Sequence, residues 1–181
     1  SIRSLVAYNT DSKVINTLRY NGILLGNIVP DGGLISGSSS VVQFDAWNWE
    51  DAAYRSDGAI HFRMPSLLQR RGGRGGFGNF GGGQQNVDPV KRGLEQIENV
   101  KVFFREAKAY MAEANHASAN LKFEAVRGLF EKKQKLFIHC NIVKEMLLAI
   151  DFAREFGFDV VLVGAADSWQ IADLLRQNNI A

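Results

Sequence analysis

The segment from Leu136 to Val163 constrains this chain more than any other. Leu136-Phe137-Ile138-His139-Cys140 is a short apolar run of strand character. Val143 to Phe156 follows with Val143, Met146, Leu147, Ile150 and Ala153 at helical spacing, and Gly157 stands where such a helix stops. Val160-Val161-Leu162-Val163 is a second apolar run, of the kind buried on both faces of a sheet. Strand, helix and strand in this order predict a right-handed crossover with parallel strands. The strand leaves His139 at its end, where the chain turns into the helix. In an α/β fold that is where chemistry is placed, so His139 is the candidate to meet a metal ion or a substrate. The competing reading is a histidine that hydrogen-bonds to a neighbouring loop.

Alternation continues on both sides. Ser12 to Tyr20 reads as a helix stopped by Gly22, and Ile23 to Val29 as a buried strand ended by the turn Pro30-Asp31-Gly32-Gly33. Leu34 to Ser40 reads as a Gly/Ser loop, Val41 to Trp47 as a short strand, Asn48 to Asp57 as a polar bend, and Ala59 to Met64 as a strand stopped by Pro65. Asp88-Pro89 starts the longest helix, with the aspartate as cap and the proline at the first helical position. Val90, Leu94, Ile97, Phe104, Ala107 and Met111 are its apolar stripe. A second helix is expected from Asn120 to Lys133, and a last one from Asp167 or Ser168, where Asp167 and Gln170 have capping-box spacing. Four or five strands are too few to close an eight-stranded barrel. The expectation is an α/β fold that is a piece of a barrel, or a small open sheet. The start at Ser1 without methionine and the stop at Asn179-Ile180-Ala181, where another strand is due, give the same expectation of a fragment.

Composition narrows the partners. The 181 residues carry a net charge of +2, with 46% hydrophobic and 22% charged residues, so nothing in the balance calls for a nucleic-acid or membrane partner. The single Cys140 excludes an internal disulfide. No apolar run has the length to span a bilayer. Between residues 66 and 87 the composition changes: Arg70-Arg71-Gly72-Gly73-Arg74-Gly75-Gly76-Phe77-Gly78 is too rich in glycine to hold a regular element, and a flexible loop is expected. Three segments result: residues 1–65 as a first strand–helix part, 66–87 as the Gly/Arg-rich loop, and 88–181 as a helical pair followed by a βαβα part of the same barrel.

Several stretches, taken together, resemble the imidazolonepropionase-like branch of the amidohydrolases. They are Leu121 to Phe130, Phe137-Ile138-His139, Ile150-Asp151-Phe152-Ala153-Arg154-Glu155-Phe156-Gly157, Val160 to Val163 and Ala172-Asp173-Leu174-Leu175. Tyr20 to Ile23, the Gly33 to Val42 stretch, Gln43 to Trp49 and Ala59 to Pro65 also look like that family. The resemblance implies a partial TIM-like (β/α) barrel with parallel strands and outer helices. It implies a divalent metal, zinc first, that activates water for hydrolysis of an amide or other C–N bond of a small-molecule substrate. His139 matches the first later-strand histidine of that pattern and is the metal candidate. The chain has no His-x-His pair, and Val163-Gly164-Ala165-Ala166-Asp167 stands where a further histidine is expected. A zinc site needs three or four protein ligands, so the chain by itself is expected to be inactive.

Other candidates complete the reading. Ser36 and Ser38, in the Gly/Ser stretch, are candidate substrate contacts, as are Trp47 and Trp49, whose rings can stack on a substrate or pack into a core. His61 reads as a structural histidine and His116 as a solvated one. Two alternatives stand beside the hydrolase reading: a non-catalytic, barrel-derived binding or scaffold domain, and an RNA-binding module using Arg70 to Phe80. An incomplete barrel leaves strand edges uncovered, which predicts self-association or pairing with the missing barrel segment.

Overall fold

The computed structural model of the chain describes residues 3–68, 88–113 and 118–181. The Arg70–Gly83 stretch and His116 lie outside the described residues. After a 3-10 turn (Ser4–Ala7) the elements are α1 (Lys13–Tyr20), β1 (Leu25–Ile28), β2 (Ile35–Gln43), α2 (Trp49–Ala52), β3 (Ala53–Arg63), α3 (Pro89–Ala112), α4 (Leu121–Glu124), α5 (Arg127–Phe130), β4 (Lys135–Cys140), α6 (Val143–Phe156), β5 (Val160–Gly164), a second 3-10 turn (Ser168–Ile171) and α7 (Ala172–Gln177). The strands form one sheet in the order β1-β2-β3-β4-β5, curled into a half-barrel. Among the described residues no helix is long and apolar enough to cross a membrane.

The expectation of parallel strands throughout needs correction. β3, β4 and β5 are parallel, with Ile60 opposite Leu136 and Leu136 opposite Val160. β1 and β2 are antiparallel, as are β2 and β3. Connection length explains the split. Residues 29–34 and 44–52 are too short for a crossover, which takes a dozen residues or more, whereas β4 and β5 are joined by α6 and β3 and β4 by a segment that carries α3 to α5.

The Gly/Ser stretch expected as a loop is most of strand β2. Serine and glycine have low strand propensity. Here the segment pairs with β3 along its length and meets β1 at Ser40, and two of its hydroxyls share Asp57: Ser38 Oγ donates to Asp57 Oδ1 (2.7 Å), and Ser40 Oγ accepts from the Asp57 amide (2.9 Å). The expected helix over 120–133 is two short pieces, α4 and α5, broken at Ala125-Val126. Asp167 makes no side-chain cap bond, so the expected capping box at the last helix does not form.

The core lies between the sheet and α3, α5 and α6. Ile60, Phe62, Leu136, Ile138 and Val160 point to the helices, which return Ile97, Val100, Phe104, Leu129, Ala149, Phe152 and Phe156. Phe104 is the hub, with the rings of Phe103, Phe130, Phe152, Phe156 and Phe158 between 5.3 and 6.4 Å from its centroid. Helix ends follow local chemistry. Asp88 Oδ1 accepts from the Val90 amide at the start of α3, and Gly157 ends α6 at φ +69°. A smaller cluster of Leu5, Val42 and Ala52 fixes the N-terminal turn on the antiparallel end of the sheet.

Candidate functional site

Strand alternation sorts β3 and β4 into two faces. Ile60 and Phe62, Leu136 and Ile138 face the helices, so His61 and Arg63, Phe137 and His139 face the opposite, inner side. Register then sets His61 opposite Phe137 and Arg63 opposite His139. β2 brings Ser39 to the same face. A hydrogen-bonded row results: Ser39 Oγ and His61 Nε2 lie 2.8 Å apart, and His61 Nδ1 and His139 Nε2 also lie 2.8 Å apart. The two imidazole centroids are 5.1 Å apart at 40°, and Phe137 presents its ring to His61 at 5.1 Å and 61°.

The row is electrostatically neutral. His61 is 1% exposed, and burial, then the neighbouring His139 and Arg63, bring its pKa down to about 4. Burial and the Arg63 guanidinium lower the pKa of His139 as well. Both imidazoles are therefore uncharged at neutral pH. Ser39 is itself 1% exposed, so its hydroxyl is closed to a substrate in this structure. Cys140 offers no thiolate: burial and the Glu145 carboxylate push its pKa up to about 11.

At the strand ends the row opens into a cavity of about 450 Å³ lined by Arg63, His139, Asn141, Glu145 and Gly164 among others. Glu145 shapes its rim. Its carboxylate is buried and accepts from the Leu67 amide (3.3 Å) and the Asn141 amide (3.0 Å), tying the segment after β3 to the turn after β4. Arg63 Nη2 pairs with exposed Asp31 at 2.9 Å, while its buried Nε has no hydrogen-bond partner among the described residues. Gly164 closes the mouth beside Asn141. Its φ is +88°, and a Cβ there would lie 2.6 Å from Asn141 Oδ1, so the position accepts no side chain without rearrangement.

The candidates named from the sequence fall in three places. His139 is at the mouth. Ser36 is buried on β2 near the same strand ends, with an Oγ that has no partner among the described residues, whereas the Ser38 hydroxyl is engaged with Asp57. Trp47 (94% exposed) and Trp49 lie on the connection from β2 to β3, at the end of β3 opposite His139. The sequence reading left Ser39 within a loop and His61 as a structural residue. Alternation over Ala59 to Met64 was enough to set His61 and Arg63 on one face, but the register that joins them to β4 is a property of the sheet.

As a metal centre the arrangement is incomplete. His61 and His139 supply two imidazole nitrogens, and among the described residues there is no group of three or more His, Cys, Asp or Glu side chains able to hold an ion. That is fewer than the three or four protein ligands of a zinc site.

No family model matches the chain, and no curated protein does. The fold is similar to that of the crystal structure of an amidohydrolase from Thermotoga maritima MSB8, with a TM-score of 0.75 over 97% of this chain and 18% sequence identity. The match covers 45% of that protein, so this chain spans less than half its length. At this identity the likeness is one of fold alone.

Proposed function

We propose that the chain is half of a TIM-like barrel of the imidazolonepropionase-like branch of the amidohydrolases. In this reading it contributes His139 to a divalent metal centre, zinc first, and the completed barrel hydrolyses an amide or other C–N bond of a small-molecule substrate. The observation that carries it is the position of His139, at the end of a parallel strand on the inner face and lining the 450 Å³ cavity. The two imidazoles present fall short of a ligand set, so the remaining donors come from the strands that close the barrel, and the half-barrel alone is inactive. Ser36 is retained as a substrate contact because it stands at the mouth end of β2. The Leu162 amide donates to the Ala181 carbonyl at 2.7 Å, a first rung of further pairing along β5, and this supports closure by another barrel segment. The test is the metal content of the protein with its barrel complete. One or more ions per chain are expected, lost in His139→Ala; a metal-free complete barrel would refute the reading.

Gly164 favours a second reading, a barrel-derived binding or scaffold domain without catalysis. Gly164 stands opposite Cys140, one place beyond the His139–Val163 pair, and offers no ligating side chain there; a Cβ would lie 2.6 Å from Asn141 Oδ1. Substrate turnover by the complete barrel, abolished in His139→Ala, would eliminate this second reading.

A further inference from the structure

The hydrogens in the row Ser39–His61–His139 can be counted. A neutral imidazole carries one N–H and one lone pair, and a hydroxyl carries one hydrogen. The 2.8 Å contact between His61 Nδ1 and His139 Nε2 needs one hydrogen, so one nitrogen donates and the other accepts. Two assignments meet that condition. In the first, Ser39 donates to His61 Nε2, and His61 donates from Nδ1 to His139 Nε2. In the second, His139 donates from Nε2 to His61 Nδ1, and His61 donates from Nε2 to Ser39 Oγ.

The two differ in what they ask of Ser39. Among the described residues, His61 Nε2 is the hydrogen-bond partner of the Ser39 hydroxyl. Ser39 is 1% exposed. The second assignment therefore leaves a buried hydroxyl hydrogen unpaired, and the first leaves nothing unpaired. His139 is partly exposed, so water can serve its Nδ1 in either case and that end does not discriminate.

We infer that Ser39 and His61 are positioning residues that fix the tautomer of His139, holding its hydrogen on Nδ1 and its lone pair on Nε2 toward the inner face. In this structure that lone pair accepts the hydrogen of His61 Nδ1. The inference deepens the proposed reading by naming which His139 nitrogen is unprotonated, and the tautomer itself does not depend on any metal.

The test is a long-range ¹H–¹⁵N correlation spectrum of histidine-labelled full chain at pH 7.5 with chelator present. His61 and His139 are each expected to be protonated at Nδ1 and unprotonated at Nε2, with at least about a tenfold preference at His139. Ser39→Ala removes the hydroxyl hydrogen, and the His139 preference then falls toward parity. Ser39→Thr keeps the hydroxyl and restores the parent pattern, a rescue that a merely structural serine would not give. A parent spectrum with His139 protonated at Nε2 overturns the inference, as does a folded Ser39→Ala chain with an unchanged His139 pattern. Should Ser39→Ala fail to fold, the parent and Ser39→Thr spectra still decide, since either one with His139 protonated at Nε2 is fatal. A complete barrel without metal would end the hydrolase reading and leave this result untouched.

Discussion

Lowering the pH from 7.5 to 4.5 loads the buried histidine row with a charge it is built to exclude. In the unfolded chain His61 titrates near 6.5, and in the folded chain near 4, because it is buried and faces His139 and Arg63. Between those values the unfolded chain binds a proton that the folded chain refuses. The contribution to stability is therefore fully present above about pH 6.5 and is lost as the pH falls toward about 4. The two values lie about 2.5 pH units apart, which corresponds to about 3 kcal/mol, most of it gone by pH 4.5. His139, shifted in the same direction, adds to the loss. The assay is urea unfolding across this pH range, comparing the parent chain with His61→Gln, whose amide can still bridge Ser39 and His139 but does not titrate. Groups common to both proteins, His116 and the surface carboxylates included, cancel in the comparison. The parent is expected to lose about 2–3 kcal/mol more than the variant between pH 7.5 and 4.5. Equal losses in the two proteins would refute the argument that burial of His61 excludes its charge.

Phe104→Ala removes the fully buried ring on which five other phenylalanine rings converge, and should cost about 3–5 kcal/mol in urea or thermal unfolding. Gly164→Ala puts a methyl group against Asn141 Oδ1 at a φ of +88°, and should lower stability by about 1–3 kcal/mol, read from the urea midpoint at unchanged slope. Glu145→Ala strips the acceptors from two backbone amides, so hydrogen exchange at Leu67 and Asn141 should accelerate by about tenfold or more while exchange at Phe104 changes only with global stability.

What was legible in the sequence was local. Asp88-Pro89 starts α3 and Gly157 ends α6 because a cap and a left-handed stop act on their immediate neighbours. The strand–helix–strand unit from Leu136 to Val163 was legible for a related reason, since apolar period and length identify each element. β2 was not, because Ser36 to Ser40 owe their strand conformation to pairing with β3 and to partners such as Asp57 and His61 that lie far along the chain. The meeting of His61 and His139, 78 residues apart, depends on the register between β3 and β4, which no local pattern records. The antiparallel half of the sheet is a different case. The short Pro30-Asp31-Gly32-Gly33 turn already excludes a crossover between β1 and β2, so this was in the sequence and yields to loop length rather than to resemblance.

That antiparallel half also determines what reaches the mouth. β2 runs against β3, so its first residues lie beside the last residues of β3, with Ile35 opposite Phe62 and Gly37 opposite His61. Ser39 is thereby within reach of His61 Nε2, and Ser36 stands near the strand ends that carry Arg63 and His139. Reversing β2 would invert both outcomes: Val41 to Gln43 would stand beside Arg63, and the Trp47–Trp49 connection would follow them to the mouth. The direction of one strand therefore does two things. It supplies the hydroxyl that orders the histidine row, and it carries the tryptophans to the far end of the sheet. A substrate contact from Trp47 or Trp49 would require them to act at the end of β3 away from His139, whereas the serine stretch serves the histidines through Ser39, a residue on the strand rather than on a loop.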